Sequence, residues 1–193
     1  MEEITIKRKR YEIGKLFCQT DESTIHFVYT KGREYLLVRY FKNYDFAMND
    51  YKRLAKAGIN VPRIIANDKK EHLVVKEYIG GPTVLDELII NDLSDHYFEE
   101  LFLAYRFCRF SKINLNYLPE NFSMKNGKLF YVSNDVADYS PQRNLENWGI
   151  RYWIYTAEFS QYLKEKKMNV NPKRILKEEV ANKKIVLLSV TYW

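Results

Sequence analysis

Along the first third of the chain, apolar and polar positions alternate in short segments. Tyr11 to Cys18, Thr24 to Thr30 and Tyr35 to Phe41 are each rich in β-branched and aromatic residues. Asp21-Glu22-Ser23 and Lys31-Gly32-Arg33 separate them as turn material, which predicts an antiparallel meander. The period then changes. From about Asp45 to Ala57, residues Phe46, Tyr51, Leu54 and Ala55 form the apolar side of a helix that Gly58 stops. Val61-Pro62 reopens extended chain over Arg63 to Ala66. His72 to Tyr78, with Leu73, Val74 and Val75 in a row, reads as a strand buried on both faces.

Gly80-Gly81-Pro82 punctuates the chain and predicts a boundary, dividing it into 1–79 and 80–193. The second part reads as mostly helical. Thr83 to Ile90 is short; a longer helix starts at the cap residue Ser94 and runs to about Ser111, with Tyr97, Leu101, Tyr105 and Cys108 on one stripe. Periodicity vanishes from Ile113 to Asn121, where Asn114, Asn116, Glu120 and Asn121 surround Pro119. Phe122 to Met124 and Leu129 to Val132, joined through Lys125-Asn126-Gly127, carry the Asn-Gly hairpin signal. Further helices are expected from about Leu145 to Lys166 and from Pro172 to Ala181. For Ile185 to Trp193 the pattern fits strand and helix equally.

Composition narrows the class. Hydrophobic residues make up 46% of the 193, which suits one globular domain or two small lobes. With 16 Tyr and 11 Phe, the core is expected to lean on rings. The net charge of +6 would suit a phosphate-bearing ligand, but solvated Lys/Glu faces give the same excess. Lys7-Arg8-Lys9-Arg10 reads as a solvated strand entry, so nucleic acid is not the favoured partner. Cys18 and Cys108 have no second Cys or His at ligand spacing, which argues against a zinc site or disulfide framework and for a reducing compartment. Met1-Glu2-Glu3 lacks the layout of a secretory signal, and Ile185 to Trp193 is too short to span a bilayer, so a cytoplasmic protein without a membrane partner is expected. His26, His72 and His96 are unlinked by spacing, and no Ser sits in a Gly-flanked turn, leaving hydrolase chemistry without support.

Five strands with one helix after the third, a hinge, then helices around a polar loop and a hairpin: this order resembles a protein kinase. It is most similar to the small atypical archaeal and bacterial kinase-like proteins related to the RIO and aminoglycoside-phosphotransferase branches, over about Tyr11 to Lys166. The resemblance implies an α+β, bilobal kinase-like fold, with a five-stranded antiparallel sheet plus one helix in the first lobe and a reduced, mostly helical second lobe. It implies ATP with Mg2+ or Mn2+ as cofactors and phosphoryl transfer to a protein or small-molecule hydroxyl. In Asn116-Tyr117-Leu118-Pro119-Glu120-Asn121-Phe122, Pro119 and Asn121 match the metal-holding Asn and the Pro before it. The position of the catalytic base falls on Asn116, and that of the His or Ser two residues earlier on Asn114. An amide does not accept a hydroxyl's proton as a carboxylate does. A pseudokinase, acting as a binding or scaffold module, is therefore the alternative to an active phosphotransferase, and a basic RNA-contacting protein is a third.

The resemblance assigns further positions. After the hairpin, strict register places the metal-bridging residue at Ser133, and Asp135 is the nearest carboxylate; Asn121 and Asp135 become the metal pair, unless Asn134-Asp135 only caps a turn. Leu36-Leu37-Val38-Arg39 resembles the strand that ends in the phosphate-binding cation, which makes Arg39 that cation and Asp50 its helix partner. An exposed strand Arg and a surface helix Asp are the competing readings. Lys76-Glu77-Tyr78-Ile79-Gly80-Gly81-Pro82 resembles the hinge, whose main chain at Glu77, Tyr78 and Ile79 would meet the adenine. Only Gly14 lies between the first two strands, so the glycine-rich phosphate loop is absent. Asn144-Leu145-Glu146-Asn147-Trp148-Gly149-Ile150 resembles the start of a large buried helix, with Glu146 holding the catalytic loop's backbone.

Overall fold

The computed structural model describes residues 2–193. The chain forms two compact units, one made of the chain to Lys52 with Val61–Ile79, the other of Arg53–Asn60 with Gly80–Trp193.

The first unit is built on a six-stranded antiparallel sheet in the order β1-β2-β3-β4-β6-β5. Its strands are β1 (Glu3–Ile6), β2 (Lys9–Gln19), β3 (Ser23–Thr30), β4 (Arg33–Tyr40), β5 (Ile64–Asp68) and β6 (Leu73–Glu77), with α1 (Tyr44–Ala57) entering after β4. The sequence predicts five strands; β1 is the sixth. It pairs with β2 through a two-residue turn at Lys7 and Arg8, whose φ values are +46° and +67°. Those left-handed values disfavour any side chain, and the turn carries neither the Gly nor the Asn that usually announces it. The β3–β4 hairpin turns at Lys31 (φ +49°) and Gly32 (φ +70°), as the turn residues predict.

The sheet has two apolar faces. On one, Ile6, Tyr11, Val28, Leu37, Ala66, Leu73 and Val75 form a single cluster, which brings β1 and β5 at opposite ends of the strand order together by curling the sheet. On the other, Val38 and Val74 pack with Tyr44 and Met48 of α1, joined by Ile25, Tyr40 and Ile64. Gly14 sits where the β2–β3 register shifts. A Cβ there would lie 2.6 Å from a Tyr29 ring carbon and 3.3 Å from the Phe27 carbonyl oxygen, so this glycine lets two strands approach closely. Gly58 has φ +85° just past α1, the left-handed residue that ends a helix.

The second unit carries α2 (Val84–Ile90), α3 (Asp95–Phe110), β7 (Ile113–Leu115), β8 (Phe122–Lys125), β9 (Lys128–Tyr131), β10 (Val136–Asp138), α4 (Ala157–Glu165) and α5 (Glu178–Tyr192). Thr83 caps α2 in a reciprocal box with Asp86: its hydroxyl accepts from the Asp86 N–H at 3.2 Å while the Asp86 carboxylate accepts from the Thr83 N–H at 2.8 Å. β8 and β9 form the expected hairpin on Asn126 (φ +51°) and Gly127 (φ +71°). β7 pairs with β10, a pairing absent from the sequence pattern because each strand has only three residues.

The continuous helix expected over Leu145 to Lys166 is instead a 3-10 turn, Gly149–Tyr152, followed by α4. Thr156 breaks the run by capping α4, its hydroxyl accepting from Phe159 N–H at 3.0 Å. Around this break, Leu85 and Leu88 pack with Tyr155, Phe159 and Leu163. The helix expected over Pro172 to Ala181 is a short 3-10 turn, Pro172–Arg174, and α5, which absorbs the undecided Ile185 to Trp193. Tyr192 stacks on Phe98 and tilts against Phe102, fastening the end of α5 to α3. Among the described residues, no helix is long and apolar enough to cross a membrane.

Candidate nucleotide and metal residues

Each unit holds its own set of the residues singled out by sequence. In the first unit, alternation along β4 and β6 decides where side chains go. Leu37 and Val38 belong to the two opposite clusters of the sheet, so Arg39 shares the Leu37 face, away from the face on which α1 packs. Arg39 is exposed where the strand period carries it, and it makes no hydrogen bond or ion pair among the described residues. Asp50 is buried, 3% exposed, on α1. The structure does not pair Arg39 with Asp50.

The cation that does occupy the α1-facing side is Lys76. It stands opposite Leu36 on β4 and Ile64 on β5. It is half-buried, and desolvation among apolar neighbours pulls its pKa down to about 8. Sequence reasoning passed over it as part of the hinge; the signal was a charged residue alternating with Val74 inside an apolar run. Beyond it, Glu77 closes the ladder, pairing with Tyr35 and donating its N–H to the Arg63 carbonyl at 2.9 Å. Ladder pairing stops there, and neither Tyr78 nor Ile79 takes part in a backbone–backbone hydrogen bond among the described residues. Ile79 is buried, and the Tyr78 ring sits edge-on to Phe27 at 5.1 Å.

In the second unit, the loop between β7 and β8 is gathered onto one hydroxyl. Tyr131, at the end of β9 and 1% exposed, accepts from the Asn116 N–H at 3.2 Å and donates to the Asp135 carbonyl at 2.6 Å. Burial pushes its pKa upward, so it stays a protonated donor. The Asn121 side-chain amide donates to the Asn116 carbonyl at 3.1 Å, and the Asn121 carbonyl accepts from Val132 N–H at 2.8 Å. Asn116, Asn121 and Asp135 are thus linked within one network. The Asn116 side-chain oxygen accepts from Leu118 N–H at 3.4 Å, a turn contact. Asn114 is buried and donates to the Ser140 carbonyl at 3.0 Å, a structural tie.

Support for the loop comes from residues other than Glu146. Its carboxylate accepts from the Tyr105 hydroxyl at 2.7 Å and faces Arg109 at 3.7 Å, both on α3, rather than the loop's main chain. Trp148 packs on Tyr152 and beneath Arg143. The indole that holds the loop is Trp153, fully buried, whose Nε1–H donates to the Tyr117 carbonyl at 2.7 Å. Gly149 completes the seat: a Cβ there would lie 2.4 Å from Tyr117 Cβ.

The donor set for a hard cation is lean. Asn121 presents its side-chain oxygen with the amide nitrogen already engaged, and Asp135 is an exposed carboxylate. Among the described residues no three His, Cys, Asp or Glu side chains converge as a cage. A carboxylate and an amide oxygen are donors of the kind that suits Mg2+ taking its remaining ligands from phosphates and water, and not an ion that needs a full protein cage; the network itself engages Asp135 through its main-chain carbonyl. A surface hollow of about 510 Å³ runs along α5 beside Val186, Leu187 and Val190, and includes none of these residues.

No protein-family model and no curated protein matches the chain. Solved structures do match, among them one described as the BubR1 kinase domain, with 9% identity and a TM-score of 0.51 over 71% of this chain. The fold resembles a kinase domain. The likeness extends over half of that structure's length, so this chain spans about half of the domain it matches. At 9% identity the similarity speaks to the fold alone.

Proposed function

We propose that this protein is a kinase-like nucleotide-binding module that does not transfer phosphate to a hydroxyl. The observation that carries the reading is the end of β6. Directly after a paired strand, Tyr78 and Ile79 keep main-chain donors and acceptors clear of the backbone ladder, beside a buried apolar side chain. A purine edge asks for little else: one or two main-chain hydrogen bonds and an apolar surface for the ring. The likeness to a kinase domain is at the level of the fold, and this use of the segment is in keeping with it.

Mg2+, when bound, supplies neutralising charge to the phosphates. Asn121 Oδ1 and the Asp135 carboxylate would hold it, with Asn121 oriented by its own amide bond to the Asn116 carbonyl. Asn116 stands where a kinase carries its base. Its amide can donate to a hydroxyl but has no basic site to take that proton, and its oxygen is directed to Leu118 N–H. The turn between β2 and β3 carries no glycine; Thr20 organises it by accepting from Glu22 and Ser23 N–H groups. Binding and positioning remain, without a group to drive transfer. A reducing, cytoplasmic setting suits the two free thiols; Cys108 is buried, its pKa pushed up to about 12, and is unreactive there.

The test is thermal melting with nucleotide and Mg2+, followed by transfer of radiolabelled γ-phosphate. The reading expects a rise in melting temperature, because ligand that binds only the folded protein must stabilise it, and no labelled product. Labelled acceptor formed by the purified protein would restore the phosphotransferase reading.

A further inference from the structure

One side chain in the first unit has no internal use. Lys76 lies in the middle of the sheet, in a cross-strand row that runs Phe27, Leu36, Lys76. Residues directly opposite each other on paired strands point to the same face, so Lys76 shares its face with both, and with Val38 and Val74 further along. Phe17 and Tyr78 sit edge-to-face on Phe27, at 5.2 and 5.1 Å between ring centres. The row is thus an aliphatic and aromatic wall with the Lys76 ammonium set within it, while the Lys15 ammonium lies over the Phe27 ring, 5.4 Å from its centre. The half-buried Lys76 side chain makes no hydrogen bond or ion pair among the described residues, and desolvation holds its pKa near 8, so it is still protonated at neutral pH. An apolar side chain would complete the wall at lower cost, since an unpaired cation in apolar surroundings is destabilising. A donor held there at a cost calls for an acceptor from outside the chain.

Chemistry limits what that acceptor is. Tyr78 lies two residues along the strand, roughly 7 Å away, within reach of a four-carbon stem. A base held on the main chain of Tyr78 and Ile79 therefore comes within range of the ammonium. Lysine has three donors and no acceptor. Adenine carries an amino group at position 6, another donor. Guanine and hypoxanthine carry an oxo group there with N7 beside it, a pair of acceptors that lysine reads well.

We infer that Lys76 selects the base, and that the segment ending β6 takes a 6-oxopurine nucleotide in preference to an adenine nucleotide. The inference rests on the nucleotide reading above and narrows it, replacing the ATP implied by the family resemblance. Arg39, on the opposite face of the sheet, takes no part in this choice.

The test is calorimetric titration of the full chain with GTP, ITP and ATP, each with Mg2+. One hydrogen bond to a charged donor corresponds to about tenfold or more in affinity, so GTP and ITP are expected to bind at least about tenfold more tightly than ATP. Lys76→Met is expected to weaken GTP and ITP, bring the ratio below about threefold, and leave the melting temperature equal or higher. ATP binding as tightly as GTP to the wild-type protein overturns the inference and leaves the nucleotide reading standing. An unchanged GTP preference in folded Lys76→Met overturns it as well. Failure of all three nucleotides to bind removes the nucleotide reading and this inference together. The wild-type base preference decides the matter even where the variant does not fold.

Discussion

In Tyr131→Phe the ring survives and one oxygen is lost. The ring stays packed against Phe122, 5.1 Å away between centres, so no cavity larger than the hydroxyl opens. What disappears is the bridge between the Asn116 N–H and the Asp135 carbonyl. Each such hydrogen bond is worth about 1 kcal/mol net, and more where the orphaned partner stays dry. Asp135 is exposed, so water replaces its lost donor; Asn116 is half-buried, so its N–H is the more expensive orphan. The sum is about 1–2 kcal/mol, or roughly 3–6 °C in melting temperature for a chain of this length. The same change should uncouple Asp135 from Asn116 and weaken Mg2+-dependent nucleotide binding by about threefold or more, of the order of one weak hydrogen bond, while binding without Mg2+ stays the same. Scanning calorimetry and titration with and without Mg2+ measure both. A melting temperature within about 1 °C of wild type would refute the energetic part. Lost stability with unaltered Mg2+ dependence would refute the role given to Asp135.

Two further predictions separate buried from surface roles. Trp153→Phe breaks a 2.7 Å bond between two buried groups and should cost about 2–3 kcal/mol, whereas Trp148→Phe, half-buried, should cost under about 1 kcal/mol; equal losses in chemical denaturation would contradict the assignment of Trp153 as the loop's support. Lys76 has a folded-state pKa below its unfolded value, so the unfolded chain binds the extra proton between about pH 8 and the ordinary lysine range. Its destabilising effect is fully present below pH 8 and fades as pH rises above it. The gain in melting temperature of Lys76→Met over wild type should therefore be largest at pH 7 and shrink toward pH 10; a pH-independent difference would show that Lys76 is not desolvated.

Most strands were legible because period two and turn chemistry agree, as at Lys31-Gly32 and Asn126-Gly127, where each turn places a left-handed φ on a Gly, with Lys31 or Asn126 left-handed before it. β1 was hidden because its turn uses Lys7 and Arg8, residues that give no local sign of a left-handed bend. The long helix expected after Leu145 failed for another reason: aromatic residues buried on all sides mimic helical spacing, while Thr156 ends the run through a cap that a single threonine does not announce. At the candidate site, Asn116, Asn121 and Asp135 were readable as a spaced motif, but the hydroxyl that links them comes from Tyr131, a residue whose apolar position on β9 made it look like core. Arg39 and Lys76 show the limit most plainly. Both are cations flanking apolar runs in their strands, and only the register across β3, β4 and β6 tells which face each one shares.

Nucleotide binding is expected at the segment after β6. Titration calorimetry of the wild-type chain with millimolar purine nucleoside triphosphate and Mg2+ addresses that directly. Saturable one-to-one binding is predicted, accompanied by a higher melting temperature and lost when Ile79→Asp places a charge against the base. Absence of any heat or melting shift with every purine nucleotide would contradict it.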